Sequence, residues 1–254
     1  MTQSSFRFEP SSNPGAGTSE ARQRYLSEQG PRFAATLKHC IALCTDRNAA
    51  VLDVGRSRLS SLLFGHYDQV TTLGLNLDVT RNYAHSVGWE PPQGKDYGGH
   101  IVRDLNTTPP GPGPQIDRRF DLIVFAEVIE HLYAAPEAAL AQLRDLLKSD
   151  GLILCTTPNA SSLAKRVKLL FGHNPFELLR GDLNNPGHIR EYTRAELVDL
   201  GRLAGLGVVM HRYLNYPAHS RGPVVKSIAR SVSRTLSLTC PSLCDYQMIV
   251  FRLR

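Results

Sequence analysis

Between residues 49 and 156, short apolar runs alternate with segments of helical periodicity, and this alternation constrains the chain more than any other feature. Residues 49–54, 70–77, 100–103, 120–125 and 152–156 read as strands. The fourth is almost wholly apolar, as a strand buried on both faces must be. Pro136 opens a helix running to about Lys148, with Ala139, Leu140, Leu143, Leu146 and Leu147 on one face, and Asp150-Gly151 makes a turn before the fifth strand. Thr193 is an N-cap for a helix over 194–204, with Glu196 completing a capping box, and 207–214 and 247–253 read as closing strands. Residues 20–45 are helical in character, broken near Gly30-Pro31. The expected fold is α/β, a doubly wound, Rossmann-like, mostly parallel sheet of about seven strands with helices on both faces. Residues 1–20, rich in Ser, Pro, Gly and Thr, read as a mobile tail, and 21–254 as one domain.

Composition narrows the setting. Hydrophobic residues make up 42% and charged residues 20%, ordinary for a globular protein. No apolar run approaches the roughly 18–20 residues that span a bilayer, and the polar first twenty residues do not read as a signal peptide, so the cytoplasm is expected. Five cysteines, at 40, 44, 155, 240 and 244, form no CxxC motif. Their odd number argues against a disulfide framework, and they read as small buried or half-buried residues, with zinc ligation as the alternative. A net charge of +6 permits an anionic partner, whether nucleic acid, sugar nucleotide or lipid headgroup, but no dense basic run selects nucleic acid.

Ligands of such sheets bind outside the carboxyl ends of the strands. Strand one ends in Asp53-Val54-Gly55-Arg56-Ser57-Arg58-Leu59-Ser60, a strand-to-helix turn in which Gly55 allows close backbone approach. Asp78 closes strand two, where a carboxylate can accept from both hydroxyls of a ribose. Strand three ends in Arg103-Asp104-Leu105-Asn106. Strand four runs into Ala126-Glu127-Val128-Ile129-Glu130-His131-Leu132, and strand five into Thr156-Thr157-Pro158-Asn159. G-x-G-x-x-G is absent, which argues against a nicotinamide dehydrogenase.

The stretches 120–132 and 147–159, with His188-Ile189-Arg190-Glu191-Tyr192-Thr193 further on, resemble the "FDxIxxxEVxEHL … LLKPGGxLxxTTPN" core of class I S-adenosylmethionine-dependent methyltransferases. They are most similar to the ubiquinone-biosynthesis O-methyltransferases and the type 11–23 group around them. The resemblance covers about residues 49–210, and it departs from the family pattern at Ser57 and Leu59, where further glycines are usual. It implies a cofactor, S-adenosyl-L-methionine, held by Asp53, Gly55, Ser57, Asp78, Asp104, Leu105 and Glu127, with Asp104 at the adenine amino group and the next amide at the ring.

Glu127, Glu130 and His131 would share one face if the chain turned into an α-helix after strand four. Two carboxylates and an imidazole suit a divalent ion, Mg²⁺ or Mn²⁺ first and Zn²⁺, Fe²⁺ or Co²⁺ as alternatives. The pattern also resembles metal-dependent small-RNA 2′-O-methyltransferases, which implies Glu127, Glu130, His131 and His188 as ligands. Without a metal, His131 or His188 is the candidate base, with Glu130 beside them. The expected reaction is O-methylation of a hydroxyl on a sugar, polyol or catechol. A glycan or glycolipid is favoured because bacterial members of the resembling group lie beside glycan-assembly enzymes. The rival readings are N- or C-methylation of a small molecule, RNA 2′-O-methylation, and a scaffold that has lost catalysis through its altered glycine loop. Two basic amphipathic segments, 161–171 and 224–236, would either pack as solvated helix faces, the favoured reading, or rest on an anionic membrane surface.

Overall fold

A computed structural model describes residues 19–75, 99–107, 116–180, 187–216, 235 and 239–254, with side chains from residue 27 onward. Asp78, the tail to residue 18, the loop at 88–98 and nearly all of 224–236 lie outside the described residues.

Seven strands form one sheet in the order β3-β2-β1-β4-β5-β7-β6. They are β1 (Ala50–Val54), β2 (Gln69–Gly74), β3 (His100–Val102), β4 (Phe120–Ala126), β5 (Leu147–Pro158), β6 (Leu206–Leu214) and β7 (Tyr246–Leu253). The first five pair in parallel, while β7 enters antiparallel between β5 and β6. Successive strands therefore run outward from β1 in one direction and from β4 in the other. The reversal opens a crevice at the carboxyl ends of β1 and β4, where ligands of open α/β sheets bind.

Helices cover both faces. On one, α1 (Ser19–Leu43) and α2 (Arg58–His66) bury Phe33, Cys40, Leu59, Leu63 and Phe64 against Val51, Leu122 and Leu154. On the other, α3 (Pro136–Arg144) and α5 (Arg194–Leu203) bury Ala139, Leu140, Leu143 and Leu197 against Leu52, Ile123, Phe125 and Phe251. α4 (Leu163–Leu170) buries nothing. The Thr193 capping box is present, with Glu196 Oε2 accepting from the Thr193 amide at 2.8 Å.

Three local expectations are corrected. α1 continues through Pro31. Proline removes one helical hydrogen bond, but Phe33, Thr36 and Cys40 on the following turns are buried and hold the helix. α3 stops at Arg144, because Leu147 already pairs with Phe120. Asp150-Gly151 is a bulge inside β5: the register jumps from Phe120↔Leu147 to Leu122↔Leu152. Gly151 fits because a Cβ there would lie 2.7 Å from the Phe120 carbonyl. The five thiols are free, and Cys240 is exposed where a buried or half-buried residue was expected.

Candidate active site

The turn after β1 is built for close approach. Gly55 has φ +80 and donates its amide to the Leu73 carbonyl at 2.8 Å. A Cβ there would meet Val128 Cγ2 at 3.2 Å, so a side chain would both strain the backbone and crowd Val128. Ser57 then caps α2: its Oγ accepts from the Leu59 amide at 3.1 Å, and its own amide donates to Ser60 Oγ at 3.0 Å. Serine thus does by side-chain capping what a further glycine would leave to backbone freedom.

Asp53 plays a different part from the one the sequence suggested. It is 1% exposed, and Ser60 Oγ donates to its Oδ2 at 2.6 Å. The carboxyl braces the turn from behind, and burial pushes its pKa up to about 7, with the Ser60 hydrogen bond pulling the other way. Because the folded value lies above the ordinary 3.8, the associated stability is present below that pH and is lost as pH rises towards about 7. Asp53→Asn removes this titration. Its denaturation free energy is therefore expected to gain on the wild type by roughly 4 kcal/mol between about pH 4 and about pH 8. Parallel pH curves for the two proteins would contradict this role.

After β3, Asp104 Oδ1 accepts from the amide and the Nδ2 of Asn106, at 2.9 and 3.0 Å. Asn106 Oδ1 accepts from the amides of Tyr133 and Ala134, at 2.8 and 3.1 Å, and ties the β3 turn to the segment after β4. The Tyr133 hydroxyl donates to Asp104 Oδ2 at 3.4 Å. Leu105 is buried in the core, so only its backbone can serve a ligand.

The segment after β4 does not enter an α-helix. Glu127 has φ 56, the only positive value for a non-glycine among the described residues, and a single 3-10 turn covers Ile129–His131. A non-glycine residue held in the left-handed region stores strain, which tends to concentrate at functional sites. Consequently Glu127, Glu130 and His131 do not share one helical face. Glu127 Oε2 accepts from Arg32 Nη1 of α1 at 2.5 Å, and its Oε1 accepts from Thr156 Oγ1 at 2.9 Å. Glu130 is fully buried: Thr157 Oγ1 donates to its Oε2 at 3.0 Å, while Oε1 has no hydrogen-bond partner among the described residues. The adjacent threonines ending β5 thus hold the two glutamates of the preceding strand end separately. Burial, reinforced by the charge of Glu127, holds the Glu130 carboxyl well above its ordinary pKa.

His188 reaches this place through backbone pairing. The Glu130 carbonyl accepts from the amides of Ile189 and Arg190, at 2.7 and 3.2 Å, and Asn159 bridges to Tyr192. The rings of His131 and His188 meet edge to face, 5.0 Å apart. His131 Nδ1 lies 2.8 Å from the Gly187 carbonyl, and His188 Nδ1 lies 3.3 Å from Glu191 Oε1. Both acceptors can only receive, so Nδ1 carries a proton in each ring. Lys165 holds the other Glu191 oxygen. Burial alone would raise the Glu191 carboxyl, but the bonds from His188 and Lys165 outweigh it and keep it below its ordinary value. Burial also lowers the His131 pKa, with smaller contributions from His188, Arg180 and Arg32.

Glu130, His131 and His188 each place one ligand atom within 4.8 Å of the others. Glu127, expected as a fourth ligand, stands outside this group and belongs to the Arg32 pair. Arg32 and Lys165 carry no motif that marks them as partners of the site, and Glu191 lies in the 188–193 stretch of the resemblance without a role of its own there.

Comparison with known proteins accords with this architecture. Residues 20–211 match a family described as methyltransferase domain. An S-adenosylmethionine-dependent methyltransferase from Clostridium acetobutylicum shares the fold at a TM-score of 0.55 and 12% identity, over 93% of this chain and 99% of that one. The N-methyltransferase NodS from Bradyrhizobium japonicum, in complex with S-adenosyl-L-homocysteine, is similar at a TM-score of 0.50 and 13% identity, over 92% and 97%. A chain of the complex between the Haloferax volcanii Trm112 methyltransferase activator and the putative methyltransferase gives 0.56 and 15%, over 92% and 93%. A comparison with curated proteins found no match. The seven-stranded sheet, the glycine turn at its switch point and the family match over most of its length make this chain a member of the methyltransferase domain family, an S-adenosylmethionine-dependent methyltransferase.

Proposed function

We propose that the enzyme methylates a hydroxyl oxygen, with the His131–His188 pair receiving the proton. The observation that carries this reading is the anchoring of both imidazoles through Nδ1, which leaves the Nε2 atoms of two adjacent rings outside those bonds. An alcohol has a high pKa and gains from a base in contact with it as the new bond forms, an effect of about 10²–10⁴ in rate. An amine acceptor that is already neutral needs no such base while the bond forms. Gly55, the capped α2 and Asp104 line the side of the crevice that fits the cofactor. When bound, S-adenosylmethionine supplies an electrophilic methyl group. Glu191, fixed by Lys165, orients His188 and favours its charged form once the proton arrives; the Gly187 carbonyl does the same for His131. The acceptor class that agrees best with the family resemblance is a sugar or other polyol.

A second reading adds a divalent ion, and the buried, unpartnered Oε1 of Glu130 favours it. Glu130, His131 and His188 would hold the ion, and Glu191 and the Gly187 carbonyl would orient the two imidazoles, as outer partners of metal-bound histidines do. The ion would lower the pKa of a bound hydroxyl.

Release of S-adenosylhomocysteine across a set of sugars, catechols and primary amines tests the main reading. Turnover is expected with hydroxyl acceptors, and turnover confined to amines would overturn it. Calorimetric titration of Mn²⁺ tests the second reading, with binding expected in the wild type and lost in Glu130→Gln. No binding in either protein would leave the histidines as metal-free bases.

A further inference from the structure

Among the described α-helices, α4 is the one that buries no residue. From Arg166 to Arg180 all residues but Pro175 are exposed. Leu170, Phe171 and Leu178 are 80%, 72% and 88% exposed, and Leu169 and Leu179 are also open. A solvated face packed on the domain is therefore not what the structure shows: α4 contributes no residue to the core. Contiguous apolar surface of this kind on a globular protein marks a contact site.

Charge bears on the partner. The stretch 163–180 carries Lys165, Arg166, Lys168 and Arg180 against a single carboxylate, Glu177; with Lys165 paired to Glu191 and Arg180 to Glu177, Arg166 and Lys168 are the cations of the exposed stretch that have no carboxylate partner among the described residues. Residues 217–238 of the same chain add Arg221, Lys226, Arg230 and Arg234 and no acidic residue. Basic residues interleaved with leucine and phenylalanine suit the boundary between headgroups and acyl chains of an anionic bilayer. No helix among the described residues is long and apolar enough to cross a membrane, so the contact would be peripheral.

The face also adjoins the reaction centre at both ends. Lys165 of α4 holds Glu191, the partner of His188. Glu177, near the other end, lies close to Gly187: a Cβ there would be 3.7 Å from its Oε2, and the Gly187 carbonyl anchors His131. We infer that the exposed face of residues 163–180 seats on an anionic lipid surface and holds the mouth of the active site at the membrane, where a lipid-anchored acceptor would be presented. The docking is independent of which acceptor atom is methylated, so its failure and the failure of the hydroxyl reading are separable.

Co-sedimentation of the full chain with phosphatidylcholine vesicles, with and without about one-third phosphatidylglycerol, tests this. Binding is expected to the anionic vesicles, to weaken at high salt, and to fall at least about tenfold in Leu170→Glu/Leu178→Glu. Both substituted residues are largely exposed, so an unchanged circular-dichroism melt is expected and would show that the fold is intact. Equal recovery of the wild type with and without vesicles overturns the proposal, as does vesicle binding that the double variant retains. A wild-type dimer that becomes monomeric in the double variant, without vesicle binding, would overturn it in favour of self-association. Should the melt change, Lys168→Glu serves as the second variant, with the same loss expected.

Discussion

His188→Ala is expected to slow methyl transfer by about 10²–10⁴-fold while leaving the Kd for S-adenosylhomocysteine within about a factor of two. The separation follows from the geometry. The groups proposed for the cofactor sit after β1 and β3, whereas His188 enters from the 187–192 stretch, pinned to the Glu130 carbonyl by the Ile189 and Arg190 amides. Removing the imidazole does not remove those two backbone bonds. Glu191→Gln should give a smaller loss in kcat, because it weakens the orientation of His188 and the stabilisation of its charged form without deleting the base. Equal losses of cofactor affinity and rate in His188→Ala would mean that the ring supports the cofactor pocket and does not serve the acceptor.

Phe251→Ala is expected to cost about 3–5 kcal/mol of folding free energy, the largest stability effect of any single truncation proposed here. Phe251 lies on β7, is fully buried, and pairs with Ile153 on β5 and Val208 on β6, so it joins the parallel sheet to its antiparallel edge. Its ring packs over Gly201 of α5, where a Cβ would come within 2.4 Å of the Phe251 Cε1 atom. Glycine inside a helix costs roughly 1 kcal/mol relative to alanine, so Gly201 exchanges helix propensity for room. Gly201→Ala alone should therefore destabilise by about 1–3 kcal/mol through overpacking. In the Phe251→Ala background the same change should become neutral or favourable, because the space is vacated. Denaturant titration of the four proteins followed by circular dichroism measures the coupling. A Gly201→Ala cost that is the same in both backgrounds would contradict this packing.

The strands were legible because buried parallel strands must be apolar and must end where the chain turns, and 49–54, 100–103 and 120–125 each shift by a residue or so at most in the structure. Seven strands in a doubly wound order follow from that pattern. Features settled by tertiary contacts were not legible. Nothing local to Pro31 announces that Phe33 and Cys40 will carry the helix past it. Glu130, His131 and His188 could be singled out by residue type, but their meeting depends on backbone hydrogen bonds that leave no side-chain signature. The expectation of Glu127 in a metal cluster rests on an α-helical face and on the family resemblance; its left-handed conformation sends it to Arg32 and Thr156 instead. Arg32, 95 residues away along the chain, carries no motif at all. Asp53, expected among the cofactor-binding residues, lies inside the strand-to-helix turn, where Ser60, the residue that completes the capping box, also binds it.

The most direct test of the account is a single-turnover reaction with S-adenosylmethionine carrying a ¹³C-labelled methyl group, analysed by carbon NMR in the wild type and in His131→Ala/His188→Ala. The expected result is a methoxy resonance on a hydroxyl-bearing acceptor in the wild type, at least about a hundredfold slower to appear in the double variant. A label found only on nitrogen or carbon, or a double variant that forms the methoxy product at the wild-type rate, would contradict the assignment of the histidine pair to deprotonation of an acceptor hydroxyl.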